Sequence, residues 1–209
     1  MNEDLLMSKQ SAERLMTATC YICERLADEQ GGGVLTDRQN RLYRVAVVLV
    51  AQIGAEEIER VSTLMTSGVL MTEVDKSAAN KTIYSSLKLV SGAVDNLSRA
   101  EGKADIIRKI VGYFMNAHNA LCHLSDSGAR YKVDNRLVNL FSNDQFRYAV
   151  NFMIGAGRKI VELDFVDEET KKRIKSNNIE IKRTLDATDR GTDGETEWND
   201  KMRISQKEE

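Results

Sequence analysis

The sequence contains no proline, where ordinary usage would put roughly ten in a chain of 209 residues. Proline removes a backbone donor and clashes with the preceding helical turn, so its absence fits a protein built almost entirely of helices. Histidine, cysteine and tryptophan are also scarce, at two, three and one. Two histidines leave little material for imidazole chemistry. An odd number of cysteines argues against a disulfide framework and leaves thiols or metal ligands. Long hydrophobic runs are missing too: the longest, "VAVVLVAQI" from Val45 to Ile53, is about half of the ~20 residues a spanning helix needs. The opening "MNEDLLMSKQ" has neither a basic n-region nor an apolar h-region. No signal peptide or membrane segment is therefore expected, and a cytoplasmic or intracellular location is.

A strong charge of one sign is likewise absent. The net charge is −2, and Thr188 to Glu209 alone holds seven acidic and four basic residues, so the rest is nearly neutral. Without a basic field, nucleic acid is not the default partner, because phosphate binding needs clustered Lys and Arg. What is present is a mixture of 42% apolar and 30% charged residues, which suits a globular domain of this length.

Apolar residues recur at spacings of three and four, and no segment alternates with period two. In Asn2 to Gln30 the face Leu5, Ala12, Leu15, Thr19, Ile22, Leu26 marks a long helix, which the glycines at 31 to 33 end. "TDRQ" from Thr36 reads as a capping box opening a helix to about Ser67, buried at its β-branched centre and kinked at Gly54. "TEVD" from Thr72 opens a third helix to about Glu101, on Val74, Ala78, Leu87, Val90 and Val94. A fourth, Ala104 to Ser125, carries Ile107, Ile110, Val111, Phe114, Ala117, Leu121 and Leu124. A short helix is expected near Val133 to Phe141. "SNDQ" at Ser142 then caps another, on Phe146, Val150, Met153, Ile154 and Ile160. From Asp167 onward Ile174, Ile181 and Leu185 make a thin stripe, suited to a helix laid on a surface or a partner. The expected architecture is all-α: an antiparallel helical bundle over 1–164, a peripheral amphipathic helix over 165–187 and a disordered acidic tail over 188–209.

"CYIC" places Cys20 and Cys23 in mid-helix, on the stripe Met16, Cys20, Cys23, Ala27. In "NAHNALCHLSD", His118 and Cys122 are four apart and share a helix face. Were those faces opposed, Cys20, Cys23, His118 and Cys122 would hold one zinc ion. The reading favoured by the neighbouring apolar residues is that the cysteines are core positions, because free cysteine packs as a small hydrophobe. A redox pair is favoured less than zinc, because no strand precedes it.

No catalytic constellation emerges. Three positions before His118 and His123 stand Met115 and Ala120, so the Glu-x-x-His pairs of di-iron bundles are missing. Glu56, Glu57 and Glu59 read as a solvated helix face, and no phosphate-binding glycine loop is present. The expectation is a non-catalytic interaction or assembly protein, a regulatory adaptor or an accessory factor of viral, phage or plasmid type. It would self-associate, with a dimer favoured, and dock a protein partner through Trp198, Met202 and Ile204. The alternative is RNA or DNA binding through Arg99, Lys103, Arg108, Lys109, Arg130, Lys132 and Arg136, which cluster around helix junctions. A small zinc-stabilised domain is the third reading. No small-molecule substrate or membrane partner is indicated.

Overall fold

The computed structural model describes residues 3–32, 36–67, 72–96, 104–130, 143–164 and 166–205, with the side chains of 26, 28–30, 73, 125–130, 145 and 187–205 outside the description. Among the described residues the protein is all-α, with no strand. Among the described residues a 3-10 turn, Glu3–Leu5, precedes six helices: α1 Lys9–Gln30, α2 Asp37–Thr66, α3 Glu73–Asp95, α4 Ala104–Arg130, α5 Asp144–Val161 and α6 Glu168–Ser205.

Local chemistry starts these helices. Thr36 Oγ1 accepts from the Gln39 backbone N–H while Gln39 Oε1 accepts from Thr36 N at 2.9 Å, so the capping box read in "TDRQ" is formed. Thr72 and Asp75 make the same reciprocal pair, with the shorter acid doing the work of Glu. For α5 the cap is Asn143, not the expected Ser142, its Oδ1 accepting from Phe146 N at 3.0 Å. The helix expected near Val133 to Phe141 lies outside the described residues.

Helix α2 packs against α1, α3 and α4; α5 joins α3, and α6 closes against α4 and α5. Its inner surface explains the central place. Tyr43, Ala46, Val47, Ala51, Ile53, Gly54, Ala55, Ile58, Val61 and Met65 are buried, too wide a spread for a single apolar stripe. Each large aliphatic or aromatic side chain so buried contributes roughly 1.5–3 kcal/mol. At Gly54, inside the continuous α2, the missing side chain admits α3. A Cβ there would stand 2.8 Å from both the Ser86 carbonyl oxygen and Val90 Cγ2. Tyr43 donates to Asn96 Oδ1 at 2.9 Å, so the start of α2 meets the end of α3 and the pair is antiparallel. Helices α1 and α2 are antiparallel as well, joined by Arg25 with Asn40 at one end and Arg14 with Glu56 at the other. So are α5 and α6, through Arg147 with the Leu185 carbonyl and Gly157 beside Ile174.

Several expectations from the sequence need correction. Helix α1 turns Ser11, Ala18 and Arg25 inward, while Cys20 and Cys23 are exposed. Arg25 wins its buried place by stacking 4.4 Å over the Tyr43 ring. Val45 and Val74 stand outside. Ile174, Ile181 and Leu185 are fully buried in the same core as the other helices, so α6 is laid on this chain's own α4 and α5. Its backbone stays helical through Ser205, where composition suggested a disordered tail from Thr188. Extending an existing helix costs far less than nucleating one, and no proline interrupts it.

Two glycine substitutions separate helix propensity from packing. Gly112→Ala meets nothing within 4 Å and is expected to stabilise by up to about 1 kcal/mol in urea unfolding. Gly54→Ala is expected to destabilise by about 1–3 kcal/mol despite the same gain in propensity. Equal stabilisation by both would refute the close α2–α3 approach.

Candidate functional site

The C-terminal half of α2 and the middle of α4 enclose a groove of about 430 Å³, lined by Glu59, Ser62, Thr63, Asn116, Asn119, Ala120 and His123. Its volume falls in the small-ligand range, but its lining is unusually polar for such sites. The two hydroxyls are committed: Ser62 Oγ and Thr63 Oγ1 donate to the Glu59 carbonyl oxygen at 2.9 and 2.8 Å. Both hydroxyls are thus turned onto the backbone of their own helix. Glu59 and His123 are both exposed and stay accessible to water.

Asn119 connects the groove to a polar seam between α4 and α6. Its Oδ1 accepts from Asn177 Nδ2 at 3.1 Å, and the same amide reaches His118 Nδ1 at 3.5 Å. His118 is fully buried, stacked 5.0 Å from the Phe114 ring centre, and its Nε2 lies 3.0 Å from Asn178 Oδ1. An amide oxygen can only accept, so these partners assign a neutral imidazole with its proton on Nε2. Cys122 Sγ donates to the Asn177 carbonyl oxygen at 3.7 Å. Gly157 of α5 completes the junction, since a Cβ there would press on Ile174, Asn178 and Phe114. Burial disfavours the imidazolium and pushes the His118 pKa down to about 4, against a smaller upward pull from Asn178.

A second polar anchor lies at the other end of the chain. Glu57, read as part of a solvated face, is buried. Burial alone would raise its carboxyl, but hydrogen bonds from Ser11, Arg60 and Ser8, with the Arg60 charge, outweigh burial and hold it below its ordinary value. Arg60 Nη2 donates to Glu57 at 2.6 Å and to the Leu6 carbonyl, and Nη1 donates to the Asp4 carbonyl. Ser8 donates to Glu57 through Oγ at 3.1 Å. This carboxylate is consumed in fastening the N-terminal segment.

The four zinc ligands suggested by the sequence are not brought together. Cys20 and Cys23 face away from the core, on a helix packed against α2, while His118 and Cys122 turn toward α6. Among the described residues no three His, Cys, Asp or Glu side chains converge as a metal site. Of the basic set, Arg108 is exposed and within 3.5 Å of Asp105, and Lys109 is exposed. The side chains of Arg99, Lys103, Arg130, Lys132 and Arg136 lie outside the described residues, as do those of Trp198, Met202 and Ile204. Sequence reasoning missed the seam: "SNN" at 176–178 carried the signal, two adjacent amides inside an amphipathic stripe. Among the described residues no helix is long and apolar enough to cross a membrane. No protein-family model, curated protein or solved structure matches the chain.

The seam makes stability depend on pH. The folded state holds the His118 pKa below its unfolded value near 6.5, so the unfolded chain binds more protons between pH 6.5 and 4. The contribution is complete above pH 6.5 and is lost as pH falls to about 4, roughly 3 kcal/mol in all. The His118→Gln variant, which keeps polar atoms at the seam, is expected to flatten that part of the urea-unfolding pH profile. An unchanged slope in the variant would contradict the buried neutral imidazole.

Proposed function

We propose that the chain is a non-catalytic interaction and assembly protein that self-associates and docks a protein partner. The observation that carries this reading is the aromatic pair on α5. Tyr148 and Phe152, 55% and 40% exposed, meet edge to face with ring centres 4.8 Å apart. Aromatic side chains are enriched at the centres of protein interfaces, where they supply large apolar area at low conformational cost. Because these two rings already brace each other, little freedom remains to be lost on binding. Arg158 and Lys159, both exposed near the end of the same helix, supply polar groups of the kind that rim such a patch.

The polar character of the groove and the commitment of its hydroxyls support a non-catalytic role. In the distal half of α6, Trp198 and Met202 are four apart in sequence, a spacing that suits a helical docking segment.

The test is sedimentation velocity of the full chain in EDTA over a range of concentrations. The wild type is expected to associate and Tyr148→Ser/Phe152→Ser to remain monomeric, with unfolding free energies within about 0.5 kcal/mol because both sites are on the surface. A wild type that stays monomeric at every concentration, or a variant that associates as the wild type does, would remove the α5 patch from the proposal.

A further inference from the structure

Cysteine is among the residue types most often buried, yet both cysteines of "CYIC" stand exposed on α1. They occupy i and i+3, about 60° apart around the helix and about 4.5 Å apart along it, so their sulfurs lie on one face. Met16, 70% exposed, and Ala27, also exposed, continue that face above and below. Nothing in the described part of this chain joins the two thiols as a third ligand.

We propose that Cys20 and Cys23 are half of an intermolecular zinc site, completed by the same two residues of a second copy of this chain. This rests on the self-association proposed above and adds to it a second contact, on a different helix. The donor set argues for the metal: zinc prefers four ligands in a tetrahedron, with thiolate sulfur at about 2.3 Å, and a single chain supplies two. The register argues for the second copy. Met16 and Ala27 are equally distant in sequence from the midpoint between the cysteines. When two α1 helices meet antiparallel about a two-fold axis through that midpoint, Cys20 of each comes level with Cys23 of the other. Met16 then comes level with Ala27, a long side chain against a short one. An isologous contact of this kind joins two chains. The sulfurs bind as thiolates, so metal uptake releases protons and the site weakens as pH falls.

The experiment adds zinc chloride to the reduced full-length protein and follows mass by sedimentation velocity and stoichiometry by native mass spectrometry. The expected result is a zinc-dependent gain of mass beyond the association seen in EDTA, with one zinc bound per two chains, reversed by EDTA. Cobalt(II) in place of zinc should give the intense visible bands of a tetrahedral four-thiolate centre. Cys20→Ser/Cys23→Ser should lose the zinc-dependent gain of mass and the cobalt spectrum with its circular dichroism unchanged, and Cys122→Ser should keep both. One zinc per chain without a change of mass, or a cobalt spectrum that survives in the double variant, overturns the proposal. Association in EDTA that zinc does not extend, or an extension by zinc that survives the cysteine substitutions, leaves the α5 reading standing and removes the zinc bridge. A chain monomeric under all conditions removes both.

Discussion

The approach of α2 to α3 at Gly54 sets the spacing that the other helices follow. With no side chain at that position, the Ser86 carbonyl and Val90 come within the space a Cβ would fill. Ala46, Ala51 and Ala55 set small side chains among the larger Tyr43, Val47, Ile53, Ile58 and Met65 on the buried surface of α2. Buried positions spread around the helix let it be touched from several sides at once, and α1, α3 and α4 all pack on it. Leu5 then fills a gap beside these helices, its carbonyl accepting from the buried Thr82 hydroxyl at 2.8 Å. Interiors are packed as densely as organic crystals, so a wider spacing at Gly54 would have to be accommodated at each of these neighbours.

Within this apolar frame Glu57 and His118 are both buried, and they resolve burial in opposite ways. Desolvation opposes charge on both. Glu57 has Arg60 and serine donors around it and stays an anion. His118 is met by neutral amides and stays uncharged. The first arrangement ties the N-terminal segment to α2, and the second ties α6 to α4. Removing Arg60 would strand a buried carboxylate, a larger penalty than the pair's net contribution when intact.

Much of the fold was legible because it is written in short-range chemistry. The missing prolines, the reciprocal boxes Thr36/Gln39 and Thr72/Asp75, and the apolar stripe of α4 from Ile107 to Leu124 each have a local cause. Helix α1 was read wrongly because its inward face is decided by its partner. Arg25 is buried only because Tyr43 lies beneath it and Asn40 accepts from it, and neither can be known from α1 alone. Once Ser11, Ala18 and Arg25 turn inward, Met16, Cys20 and Cys23 must turn outward. Glu57 was read as solvated for the same reason, since its partners Ser8 and Ser11 lie far from it in sequence. The groove was not foreseen, because it joins residues of α2 to residues of α4 that share no local pattern.

The last helix shows how a weak apolar signal can still specify a position. Ile174, Ile181 and Leu185 give α6 its affinity for the core, but an apolar stripe alone tolerates sliding by a turn. Asn177 and Asn178 do not. Displacing α6 by one turn, about 5.4 Å, would take both amides away from His118 and leave a buried imidazole without its acceptor. An unsatisfied buried donor costs about 1–3 kcal/mol, comparable to the gain from one of the isoleucines. The amides therefore fix the register, and the aliphatic side chains supply the strength. That division explains why the fully buried part of α6 needs so few apolar residues to hold one place on α4 and α5.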